Sequence, residues 1–180
     1  MPNCASVYKA AEFKMAFFRI KRIKGKEYIY IVKNEWRKKS SRQKVKAYIG
    51  RAYRFDLKSN VDFPQYMNAQ NIEEYINNNQ EGTIIKDLVR WELFKFDISK
   101  EEFSIDLNNI KIQKSSKNIV FLINDGFMCG LTLKNLFEFE SQGDEQIDAH
   151  SLARAFVEAG IKLPQEVFIG IFGKLYKTTG

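Results

Sequence analysis

Apolar and polar positions alternate with a period of two in three runs near the start of the chain, the pattern of half-buried strands. In Ala16–Ile23, Phe18 and Ile20 share one face and Arg19 and Lys21 the other. Lys24-Gly25-Lys26 predicts a turn, with Gly25 able to take a positive φ. In Glu27–Trp36, Tyr28, Tyr30, Val32 and Trp36 alternate with Ile29, Ile31 and Lys33. Large groups on both faces predict the central strand. A polar, cationic loop, Arg37–Ser41, leads to a third strand, Arg42–Ile49, which Gly50 ends. There Val45, Ala47 and Ile49 alternate with Arg42, Lys44 and Lys46, so an apolar face and a basic face are expected. Three antiparallel strands alone are marginal, and the apolar face needs a cover.

Beyond Arg54 the pattern changes. Residues 55 to 70 read as a connector. Asn68 or Asn71 could cap a short helix ending near Asn78, and Thr83 one carrying Ile84, Ile85, Leu88 and Val89. Trp91–Phe96 fits either a continuation of that helix or a strand. Four short β runs follow between Phe103 and Leu131, with turns at Asn108-Asn109, at Lys114–Lys117 and at Asn124-Asp125-Gly126. Thr132 caps a predicted helix to Phe139, and Asp148 one to Ala159 that stops at Gly160. Pro164 opens the last helix, whose apolar stripe contains Val167, Phe168, Ile171, Phe172, Leu175 and Tyr176. The expected class is α+β: an N-terminal three-stranded antiparallel meander packed on a mixed body with a second small antiparallel sheet and C-terminal helices. Residues 15–54 form the basic module and 55–180 the body, which ends in a helical pair. Residues 1–14 show no period and read as a weakly ordered extension, with a short helix over Ser6–Lys14 as the alternative.

Charge sharpens this division. Residues 15–54 hold 14 lysines and arginines and two glutamates, a net +12, whereas the chain of 180 residues is +7. The remainder is therefore net −5. A positive module on a mildly acidic body points to a polyanion partner. Lysine and arginine bind phosphate by releasing counterions, and interleaved aromatics can stack on unpaired bases. The nucleic-acid-binding candidates are Arg19, Lys21, Arg42, Lys44 and Lys46 on strands, with Lys24, Lys26, Arg37, Lys38 and Lys39 in turns. Tyr28, Tyr30 and Trp36 are candidate stacking groups, or else core. Lysine-rich strands can equally serve to prevent edge pairing.

Little else suggests chemistry. His150 is the only histidine, and Cys4 and Cys129 lie far apart without metal-ligand spacing. Asp144, Glu145 and Asp148 read as a solvated loop and helix start. P-loop, GxSxG, HExxH and GxGxxG motifs are missing. The expectation is no catalytic residue, no metal and no cofactor, with a nuclease built from dispersed carboxylates as one alternative. No apolar run reaches the roughly 20 residues that span a bilayer, so a soluble, cytoplasmic protein is expected. The stripe through Phe168, Phe172 and Tyr176 is a candidate homodimer surface.

One stretch resembles the N-terminal β-meander of insertion-sequence transposases: Gly25-Lys26, Tyr28, Tyr30-Ile31-Val32, Arg42-Gln43-Lys44-Val45 and Tyr48-Ile49-Gly50. This resemblance implies nucleic-acid contact and makes a DNA-binding transposase arm the second alternative. The whole chain, including Leu152–Ile161, is similar to a group of small archaeal proteins of unclear function. That similarity implies a ribosome-associated factor. The leading expectation is a non-enzymatic protein that binds structured RNA, the ribosome in particular, in preference to DNA.

Overall fold

A computed structural model describes residues 16–37, 40–99 and 101–177. The expected extension over residues 1–14, its helical alternative, and Lys38 and Lys39 lie outside the described residues. The fold is α+β. The chain divides into two compact units, Met1–Ala52 and Tyr53–Gly180.

In the first unit, Lys24 and Gly25 take φ angles of 49° and 73°. Two successive positive φ values match the twist of a two-residue hairpin. They close β1 (Ala16–Ile23) onto β2 (Lys26–Arg37), antiparallel, with Ile23 opposite Lys26. β2 pairs antiparallel with β3 (Ser40–Arg54) and is the central strand of the meander. β3 does not end at Gly50, as expected, but passes through it to Arg54. Gly50 lies opposite the fully buried Ile29, where continued pairing outweighs the weak strand preference of glycine.

β3 also departs from simple alternation. Ile29 faces Gly50 and Tyr30 faces Tyr48, so Ile49 is an extra residue. Ile31 faces Ala47 and Val32 faces Val45, so Lys46 is another. Each bulge resets which side the following residues occupy. Val45 and Ala47 therefore lie on opposite faces. Ala47 is buried, whereas Val45 is 57% exposed. The expected division of β3 into one apolar and one basic face is overturned.

The second unit is built around α3 (Glu81–Lys95). Ile84, Ile85, Leu88, Val89, Trp91 and Leu93 of this helix are buried. The stretch Trp91–Phe96, which fitted either a strand or a helix, is thus helical as far as Lys95. Its alternating charges are turned inward: Glu92 and Lys95, one turn apart, are both buried and paired at 3.1 Å. Lys95 Nζ also sits 3.6 Å from the Trp91 ring centroid. Glu92 accepts further hydrogen bonds from Asn124 Nδ2 and from the Lys162 backbone N–H, both at 2.8 Å.

The connector read over residues 55–70 contains a helical turn, α1 (Phe63–Tyr66), capped by Asp62, which accepts from Gln65 N at 2.8 Å. Phe63 is fully buried and packs edge-on against Trp91. Asn71 caps α2 (Ile72–Asn78), accepting from Glu73 N and Glu74 N. α3 begins at Glu81, ahead of the expected cap Thr83. Burial of Ile84 and Ile85 fixes the helix, and its first turn continues outward past them.

Four short strands follow: β4 (Ser104–Asp106), β5 (Lys111–Lys114), β6 (Lys117–Ile123) and β7 (Gly126–Met128). All pairs are antiparallel, in the order β4-β5-β6-β7. Ser115-Ser116 and Asn124-Asp125 supply the paired positive φ values of the last two turns. The second turn is centred on Asn124-Asp125, and Gly126 is needed elsewhere. A Cβ there would meet Gly160 N at 2.3 Å.

Cys129, not Thr132, caps α4 (Gly130–Phe137). Thr132 lies in the first turn, where its hydroxyl accepts from Cys129 N and donates to Phe127 O at 2.6 Å. Likewise Asp144, not Asp148, caps α5 (Glu145–Glu158), accepting from Ile147 N at 3.0 Å. Gly160 ends that helix with φ of 73°. α6 (Gln165–Lys177) follows Pro164, whose carbonyl accepts the first bond, from Phe168 N. Val167 and Ile171 are fully buried in the same core as Leu133, Leu152 and Phe156.

Candidate nucleic-acid interface

Residues directly opposite in an antiparallel pair project from the same face. One face of the meander thus carries Phe17, Arg19 and Lys21 from β1, and Val32, Tyr30 and Tyr28 from β2. Val45, Tyr48 and Arg51 from β3 continue these rows. The other face carries Phe18 and Ile20, then Ile31 and Ile29, then Ala47 and Gly50. Further along, that second face continues as Lys33 opposite Lys44 and Glu35 opposite Arg42.

The expected cations therefore do not form one basic face. Arg19 and Lys21 share a face with the tyrosines, and Lys26 joins them opposite Ile23. Arg42 and Lys44 lie on the reverse face, beyond the buried Ile29 and Ile31. The bulge at Lys46 causes the split. Lys24 is in the first turn and exposed. Arg37 ends β2 opposite Ser40.

Both basic groups are short of counter-charge. Lys33 and Lys44 are like charges directly opposite, an arrangement that costs stability. Glu35 serves both Lys44, at 3.5 Å, and Lys46, at 3.9 Å. Arg22 pairs with Glu27 at 3.0 Å, and Arg19 donates to the Gln43 side chain. Among the described residues, Lys21, Lys24, Lys26 and Arg42 have no ion pair.

The aromatic groups divide as well. Tyr28 and Tyr30 are half-buried, and Trp36 is 79% exposed, which removes its reading as core. Tyr48 was not among the sequence candidates, yet its ring lies 5.3 Å from that of Tyr30 and 6.3 Å from that of Tyr28, tilted to both. It is 55% exposed. Period two had placed Tyr48 in line with Lys44 and Lys46, which was the available signal. Lys33 was also missed, because it is one cation in an otherwise apolar row.

The remaining candidates lie in the second unit. His150 is exposed on α5. Asp148 is buried and accepts from Ser141 Oγ at 2.5 Å, Gln142 N at 2.9 Å and Gly143 N at 3.1 Å. The Ser141 hydroxyl and these N–H groups hold its carboxyl below the usual carboxylate range. The expected solvated loop is thus tied onto Asp148. Burial pushes the Cys129 thiol up, away from the reactive thiolate. Phe168, Phe172 and Tyr176 stack in sequence along α6 at 6.1 and 5.6 Å, each half-buried, and the two phenylalanines pack on the core. Among the described residues, no three His, Cys, Asp or Glu side chains converge as metal ligands, and no helix is long and apolar enough to cross a membrane.

Comparison with family models, curated proteins and solved structures gives no match.

Proposed function

We propose that this is a non-enzymatic nucleic-acid-binding protein of the cytoplasm that grips phosphates through its basic meander. One observation carries the reading: positive charge crowds both faces of the module with too few carboxylates to match it, most plainly at Lys33, which faces Lys44 while Glu35 is shared between Lys44 and Lys46. Like charges directly opposite destabilise a sheet, and a phosphate beside Lys33 would relieve the repulsion that a shared Glu35 leaves unmatched. Structured RNA, the ribosome above all, is favoured over DNA. Structured RNA offers both dense phosphate and loops whose bases are open to aromatic contact. Duplex DNA gripped by a transposase-like strand arm is the alternative.

A filter-binding salt titration on ribosomal RNA and on duplex DNA tests this. Affinity should fall steeply with salt and be higher for the RNA. Lys21→Glu and Lys44→Glu should each reduce the slope of log affinity against log salt by about one. Equal, weak binding to both polymers, unmoved by either substitution, would remove the proposal.

A further inference from the structure

We infer that the meander face bearing Tyr28, Tyr30 and Tyr48 takes unpaired nucleotides, with bases stacked on Tyr48 and Trp36 and phosphates drawn to Arg19 and Lys21. This deepens the nucleic-acid reading and rests on it. Three observations support it.

Large apolar groups are exposed together on this face: Phe17 at 41%, Val45 at 57%, Tyr48 at 55% and Trp36 at 79%. The pairing register sets Phe17 and Val45 in one cross-strand row, on either side of the fully buried Val32, and Arg19, Tyr30 and Tyr48 in the next. Trp36 follows on the same face, opposite Ser41. A folded chain does not ordinarily leave several large side chains of one sheet face in water without a use for them.

The Tyr48 ring is held from below. Tyr48 leans on Tyr30 and Tyr28 at tilts of 51° and 44°. The two supporting tyrosines are half-buried, so Tyr48 is oriented before anything binds. A ring already in place loses little freedom when a base lies against it.

Charge then selects the occupant. Arg19, Lys21 and Lys26 stand among the aromatics. Protein interfaces are depleted of lysine at their centres, and a second copy of this +12 module would be repelled. A single-stranded polyanion with exposed ring faces satisfies both halves of the surface. In a duplex the base faces are stacked on one another, so the exposed rings have no base face to lie against. The reverse face, with Lys33, Arg42 and Lys44 and no exposed ring row, suits phosphates alone. The module thus has a base-reading side and a phosphate side.

The full-length protein is titrated at one salt concentration with a short single-stranded RNA, the abasic strand of the same length and the matching duplex. Single-stranded DNA is a further arm. The intact strand should bind about tenfold more tightly than the abasic one, in line with the usual worth of base–aromatic stacking. Trp36 fluorescence should be quenched by the intact strand alone. Tyr48→Ala should abolish most of that preference and leave abasic binding unchanged, whereas Lys21→Glu should weaken both. Comparable gains with single-stranded DNA would identify the base, not the sugar, as the feature recognised. Abasic or duplex nucleic acid bound as tightly as the intact strand would overturn the inference and leave the phosphate grip standing. No binding to any probe would remove the nucleic-acid reading itself. The abasic comparison uses the unmodified protein, so it holds even if Tyr48→Ala does not fold.

Discussion

Single residues in this protein owe their roles to partners that local sequence does not reveal. Asp148 stands where a helix cap was expected, four residues after the true cap Asp144, and instead accepts hydrogen bonds from three donors in residues 141–143. Its carboxyl is held below the usual range by the Ser141 hydroxyl first and the backbone N–H groups next. A carboxyl whose folded value is depressed stabilises the fold above its unfolded value of about 3.9, and that contribution is lost as pH falls through the folded value. Asp148→Asn should therefore lower the Tm most near neutral pH, with the gap to the unmodified protein closing in acid. Thermal scans across acid and neutral buffers would measure this. A gap of constant size at every pH would mean that the charge of Asp148 is not what holds the loop. Gly126 shows the same lesson in reverse. Its place after Asn124-Asp125 suggests a turn glycine, but its lack of a side chain is required by the backbone of Gly160.

At the scale of elements, β3 decides how the candidate site is arranged. Residue by residue it alternates, and its alternation alone would set Arg42, Lys44, Lys46 and Tyr48 on one face. Two extra residues, Lys46 and Ile49, redirect it, so Tyr48 joins Arg19 and Lys21 while Arg42 and Lys44 go to the reverse face. The hairpin turns were legible because Lys24-Gly25, Ser115-Ser116 and Asn124-Asp125 must supply positive φ values locally. The bulges were not, because they arise from hydrogen bonds between strands. The like-charged pair that results gives a direct test of whether stability has been given up for binding. Lys33→Glu would place a carboxylate opposite Lys44 and should raise stability by about 0.5 kcal/mol in urea unfolding. The same variant should bind RNA less tightly. If stability and binding both fall, Lys33 has a structural role and the pair is not part of a phosphate site.

At the scale of the whole molecule, net charge divides along the chain. The +12 of residues 15–54 stands against −5 elsewhere. The continuous core of the second unit runs through α3, β6 and the C-terminal helices. Within this unit the fully buried Glu92 gathers Lys95, Asn124 and the Lys162 N–H at a single carboxylate. These groups come from α3, from the turn between β6 and β7 and from the segment before α6, so one side chain ties three regions of the unit. Glu92→Leu keeps volume but strands the buried Lys95 ammonium and two further donors. It should cost about 3–5 kcal/mol, read as a shift in the urea midpoint. A loss below about 1 kcal/mol would show that the network is dispensable. Nucleic-acid affinity of the folded variant should be unchanged, because the cations proposed to bind lie in the other unit.

The sequence by itself determined the α+β class, the meander, the tight turns, most helices and the location of positive charge. These depend on period, turn chemistry and composition, which act over a few neighbouring residues. Only the tertiary structure decided which cations and rings share a face, that Trp36 and Tyr48 remain exposed, and that Glu92, Lys95 and Asp148 are buried. Each of those depends on cross-strand register or on partners distant in the chain, and a single inserted residue in β3 is enough to reverse the assignment.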